Sequence, residues 1–152
     1  MTATKWRWPG LVLLLLMVSA DDVRAQDAQE IRSVVNRYFG AIALRQVDTM
    51  RGLLLPNATI ASVGVGQDGS AAARSRPVST FINGVRSSDQ AWSETLRNTD
   101  VRVQGSTAQL SGEYTFSING VVSHCGRVTV VLGKTSDGWL IGHIAETQQD
   151  QC

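Results

Sequence analysis

The sequence predicts an α+β domain with segregated elements, placed behind an export signal. Three observations carry this expectation. Apolar residues recur at helical spacing from Ile31 to Ile42, period-two alternation fills the second half of the chain, and Asn119-Gly120 divides two alternating runs as a tight hairpin turn would.

The first 25 residues read as a cleavable leader. Lys5 and Arg7 form a positive start, Leu11 to Val18 is unbroken apolar sequence, and Val23-Arg24-Ala25 offers small residues around a cut. Val18-Ser19-Ala20 is a second possible cut. The apolar run falls short of the roughly 18 residues that a membrane span needs. Cleavage after Ala25 leaves residues 26–152 as one domain, with no membrane segment of its own.

Asp27 is expected to cap the first helix, with Glu30 completing a capping box. Ile31, Val34, Val35, Tyr38, Phe39 and Ile42 then form its apolar stripe. A second short helix is expected from Asp48, carrying Met50, Leu53 and Leu54 and stopped by Pro56. Thr59 to Val63 reads as a short strand, and Gly64 to Arg76 as a polar, glycine-rich loop. Pro77 opens a third helix, whose apolar face is Val78, Phe81, Ile82 and Val85.

From Gln90 the pattern is extended. Trp92, Glu94 and Leu96 fall on one side, and Val101 and Val103 lead to a turn at Gly105-Ser106. Thr107 to Ile118 alternates, with Leu110, Tyr114, Phe116 and Ile118 on one face. Val121 to Leu132 returns, Thr135 to Gly138 turns again, and Trp139 to Glu146 closes the domain. The strongly apolar return strand suggests that both sheet faces are covered, one of them by a partner subunit. Turning at Asn119-Gly120 and Ser136-Asp137 sets a register: His124 opposite Thr115, His143 opposite Val130, and Arg127 opposite Glu146 as an ion pair.

The leader holds Lys5, Arg7, Arg24, Asp21 and Asp22; without them the 14 cations and 13 anions of the chain become eleven of each. A neutral domain gives no electrostatic basis for binding nucleic acid or an anionic membrane. Cys125 and Cys152 would meet an oxidising compartment after export. In the expected register Cys125 faces Gln148, so a four-residue tail can return Cys152 to it. The alternatives are a bond between chains, or free thiols.

The order of elements resembles the nuclear transport factor 2-like superfamily, which includes ketosteroid isomerases and SnoaL-like cyclases. Glu113-Tyr114-Thr115-Phe116, His124-Cys125-Gly126, Gly138-Trp139-Leu140-Ile141 and terminal Cys152 resemble a group of exported bacterial members. Such members often carry an acidic or amide residue two places after the glycine; here Val128 stands there. The resemblance implies a cone-shaped α+β roll, with N-terminal helices packed on a curved antiparallel sheet around a conical pocket. It also implies a homodimer formed through the sheet face away from the cone, in a periplasmic or secreted protein.

No residue pattern assembles a catalyst. About 20 Å separates the two histidines in the expected register, so they do not share a metal, and no metal or other cofactor is expected. Tyr38, Tyr114, Glu113 and Asp100 are the residue types of a ketosteroid-isomerase-like site, but their spacing does not bring them together. Asp48 reads as a helix cap and Asp100 as a turn residue. The leading expectation is an exported domain that holds a small, mostly apolar ligand, lined by Tyr38, Trp92, Tyr114, Phe116 and His124. An isomerase, cyclase or dehydratase is the second reading and a dimeric interaction module the third. Acid, Tyr and His groups converging in one pocket would favour the enzyme.

Overall fold

The computed structural model describes residues 20–65, 70–149 and 152, so Met1 to Ser19 of the expected leader lie outside the described residues. Three helices precede or interrupt a six-stranded sheet. They are α1 (Ala20–Ala43), α2 (Val47–Gly52) and α3 (Val78–Ser87). The strands are β1 (Leu54–Val65), β2 (Ala71–Pro77), β3 (Trp92–Gln104), β4 (Thr107–Ile118), β5 (Val121–Thr135) and β6 (Gly138–Gln148). Their spatial order is β2-β1-β6-β5-β4-β3. Neighbours are antiparallel except β1 and β6, which run parallel, so the sheet is mostly rather than wholly antiparallel.

The apolar stripe of α1 packs on the sheet. Ile31, Val35, Tyr38 and Ile42 are buried against Leu110, Val128, Val130, Leu132, Ile141 and Ile144 from the central strands. Alternation on β4 and β5 follows from this: alternate residues enter the core and the rest face outward. α3 adds Val78, Ile82 and Val85 to the same core.

Asp27 does not cap α1, which begins at Ala20. Its carboxylate instead accepts hydrogen bonds from Lys134 Nζ at 2.6 Å and Trp139 Nε1 at 3.1 Å. These bonds hold the Asp27 carboxyl below the usual carboxylate range and tie the helix to the β5–β6 hairpin. Glu30 accepts from Gln26 on the exposed side, outside any capping box. Asp48 likewise lies inside the first turn of α2, which Gln46 precedes without a side-chain cap, and it pairs with Arg51 at 3.6 Å. α2 ends at Gly52, before Pro56, which lies in β1. Gly64 to Arg76 is largely strand rather than loop, because β1 extends to Val65 and β2 forms the sheet edge. Every residue of β2 is exposed, so no apolar alternation marks it in the sequence.

Bulges bend the sheet around the helices. Asn57 and Asn98 take positive φ angles of 62° and 50° at register shifts in β1 and β3, where asparagine tolerates the left-handed region. On β5, Ser117 faces Val122 but Phe116 faces His124, so Ser123 is the extra residue. On β6, Leu132 faces Ile141 but Val131 faces His143, so Gly142 is extra. These insertions overturn the simple register. His124 faces Phe116, not Thr115; His143 faces Val131, not Val130; Glu146 faces Val128, not Arg127. Arg127 pairs with Glu113 on the neighbouring strand at 3.8 Å. The Asn119-Gly120 turn has positive φ at both positions, 51° and 78°.

Candidate functional site

The strands and α3 converge on a cavity of about 170 Å³. Its walls are built by sheet pairing. Glu94 on β3 lies opposite Phe116 on β4, which lies opposite His124 on β5. Glu146 and Gln148 come from β6, Ile60 from β1 and Arg76 from β2. Trp92 opens β3 and stacks on Phe81 of α3, with ring centroids 6.0 Å apart and planes at 29°. Trp92 meets Phe116 edge-on at 5.7 Å, and Phe116 stacks on His124 at 5.0 Å.

Two carboxyls share this space. Glu94 is 9 % exposed, and its Oε1 is buried without a hydrogen-bond partner. Burial first, and the neighbouring Glu146 second, push the Glu94 carboxyl well above the usual range. Burial also raises Glu146, while the hydrogen bond from Gln148 Nε2 at 3.1 Å and the charge of Arg76 pull it partly back. Trp92 Nε1 is a second buried group without a partner, and the Tyr38 hydroxyl is a third. A buried polar group left unpaired costs about 1–3 kcal/mol.

Of the expected lining residues, Trp92, Phe116 and His124 border the cavity. Tyr38 and Tyr114 are buried in the core and do not border it. Burial is the main cause raising both phenols; Glu94 and Glu146 add to it in each case. The Tyr114 hydroxyl donates to the Thr147 carbonyl at 2.9 Å and so holds the end of β6.

Glu113 and Asp100 stand apart from the cavity. Glu113 accepts from Asn98 and pairs with Arg127, and Asp100 sits within β3 beside Arg102 rather than in a turn. Val128 is buried in the core. The Ser123 bulge and Gly142 bulge leave His124 on the inner face of the sheet and His143 on the outer one, where its Nδ1 lies 2.8 Å from Thr59 Oγ1. Among the described residues no group of His, Cys, Asp and Glu side chains is placed to hold a metal ion.

The two acids were the residues that sequence reasoning missed. Glu94 had a signal: an acid between Trp92 and Leu96 on an otherwise apolar row. Glu146 had none, since its facing depends on the Gly142 bulge. Larger depressions occur around Leu54–Ala58 (about 350 Å³) and Arg45–Arg51 (about 550 Å³), but neither holds a buried unpaired polar atom among the described residues.

Cys125 and Cys152 form a disulfide with Cα atoms 5.8 Å apart. Backbone bonds between Cys125 and Gln149 run both ways beside it, at 3.0 and 2.8 Å. Gly126 makes this crossing possible: a Cβ there would lie 2.0 Å from the Thr147 carbonyl oxygen.

Comparisons with known proteins agree with this architecture. Solved structures similar to the chain include a nuclear transport factor 2-like protein with a cystatin-like fold from Novosphingobium aromaticivorans. It is 14 % identical, with a TM-score of 0.65, and the match covers 90 % of this chain and 94 % of that one. A nuclear transport factor 2-like protein of unknown function from Shewanella baltica is 17 % identical, with a TM-score of 0.58 and coverage of 82 % and 95 %. A protein of unknown function from Mycobacterium tuberculosis is 12 % identical, with a TM-score of 0.69 and coverage of 86 % and 76 %. At these identities the likeness is one of fold. A sequence comparison with curated proteins finds no match. The model of the SnoaL-like domain matches residues 31–146, most of the chain, and with the cone-shaped fold this places the protein in the SnoaL-like family of the nuclear transport factor 2-like superfamily.

Proposed function

We propose that the protein is an exported domain that binds a small ligand in the cavity bounded by Trp92, Glu94, Phe116, His124 and Glu146. The observation that carries this is one cavity bordered by two carboxyls, Glu94 and Glu146, together with Trp92, Phe116 and His124. A ligand with polar groups would pair with these side chains at the cavity. The remaining wall sets Ile60, Phe81 and Phe116 beside Arg76, His124, Glu146 and Gln148, which suits a compact molecule with both apolar and polar parts.

The disulfide is compatible with export, as is the finding that no described helix is long and apolar enough to cross a membrane. The test is native mass spectrometry of the protein purified from its own periplasm. The expected result is a retained small molecule that is lost in a Trp92→Ala variant. A bare chain mass from that preparation, with no bound molecule on parent or variant, counts against ligand binding.

One observation favours a second reading as an isomerase, cyclase or dehydratase that works without a metal. Glu94, Glu146 and His124 border a single cavity, and the surroundings raise both acids. A protonated Glu94 is an acid, and an ionised Glu146 is a base. Assembly as a homodimer through the outer sheet face belongs to the same proposal. Val63 and Val131 are each 38 % exposed there, and light scattering should give twice the chain mass.

A further inference from the structure

We propose that this cavity selects a small organic cation, a protonated or quaternary amine with apolar substituents, seated among the rings of Phe81, Trp92 and Phe116 with its charge against Glu94 and Glu146. The inference rests on the ligand-binding reading above and names the class of ligand.

Charge is the first argument. Glu94 is more than nine-tenths buried, and its Oε1 has no partner. Buried charges in proteins are ordinarily paired. The other cavity elements bring Ile60 from β1, Phe116 from β4, His124 from β5, and Glu146 with Gln148 from β6. Arg76, on the exposed edge strand, acts on Glu146 and not on Glu94. Among the described residues, the charge that raises Glu94 is therefore a second acid. Burial and Glu146 both favour the protonated form of Glu94. A cation would replace that proton, leaving Glu94 ionised and releasing H⁺ to solvent. An anionic ligand would meet two acids against the single guanidinium of Arg76 among the lining residues.

The walls are the second argument. Phe81 stacks on Trp92, Phe116 meets Trp92 edge-on and stacks on His124, and all four rings border the cavity. A cation within about 6 Å of such rings is attracted to them, most strongly where water is excluded. Size is the third. A cavity of about 170 Å³ has the bulk of about half a dozen waters, room for an alkylammonium head.

The experiment titrates the exported protein with choline and with its uncharged analogue, in which carbon replaces nitrogen, by calorimetry at pH 5 and pH 8. At pH 8 choline should bind at least about tenfold tighter than the analogue. Choline affinity should rise with pH as Glu94 gives up its proton, while the analogue stays level. In Glu94→Gln the preference should vanish and the analogue's affinity persist; Glu146→Gln should show the same trend if the first variant does not fold. Equal or tighter binding of the analogue overturns the inference and leaves the ligand-binding reading intact. If neither probe binds, the molecule retained in native mass spectrometry decides: a cation supports the inference, a neutral or acidic one overturns it, and no retained molecule overturns both readings.

Discussion

Glu146 on β6 stands in register with Val128 on β5 and Ser62 on β1, on the inner face of the sheet, where it shares a cavity with Glu94. One inserted residue, Gly142, sets this facing. The two acids come from β3 and β6, which β5 and β4 separate in the sheet, and the fold brings them to one cavity.

The pair makes stability depend on pH. The Glu94 carboxyl titrates higher in the folded chain than in the unfolded one. Its contribution is fully present below the ordinary carboxylate range and is lost as pH rises through the folded value. Thermal unfolding of the ligand-free protein should therefore show a midpoint that falls on the alkaline side. Glu94→Gln should remove much of that fall, being more stable than the parent at pH 8 and little different at pH 4. A parent and variant with parallel pH profiles would show that Glu94 is not the group responsible.

Gly126 should not accept a side chain. A Cβ at that position would press on the Thr147 carbonyl, which is backbone and also accepts from Tyr114. Gly126→Ala should cost on the order of 3 kcal/mol, with the loss read in urea unfolding. Tyr114→Phe removes only the hydrogen bond and should cost about 0.5–1.5 kcal/mol. A Gly126→Ala protein as stable as the parent would mean that β6 does not cross there.

The disulfide should be within one chain. Its sequence separation is 27 residues, and a loop of that size is worth about 3.5 kcal/mol in the chain-entropy model. Denatured, non-reduced protein should show no reactive thiol and a monomeric mass on a gel. Reduction should lower the unfolding midpoint without releasing a smaller species. Release of a half-mass species on reduction would place the bond between chains.

The leader should be absent from the exported protein. N-terminal sequencing is expected to begin at Gln26, a cut within α1 that removes Ala20 to Ala25 and leaves Asp27, bonded to Lys134 and Trp139, to anchor the shortened helix. Recovery of Met1 from the exported fraction would refute the cleavage.

Local physics made much of this protein legible in its sequence. The α1 stripe, the alternation on β4 and the positive-φ pair at Asn119-Gly120 each depend on residues within a few positions of one another, so periodicity and turn chemistry suffice to find them. The meeting of Cys125 with Cys152 was also within reach, because both lie near the ends of paired strands. The tertiary structure decided the rest. Asp27 looks like a cap until Lys134 and Trp139 arrive from the far end of the chain. β2 has no buried face and became a strand only by pairing with β1. The bulges at Ser123 and Gly142 decided the site itself, since a strand has a period of two and one added residue turns every later side chain to the other face. That inversion separated His124 from His143 and carried Glu146 inward to Glu94, because the sheet must curve to close over the helices.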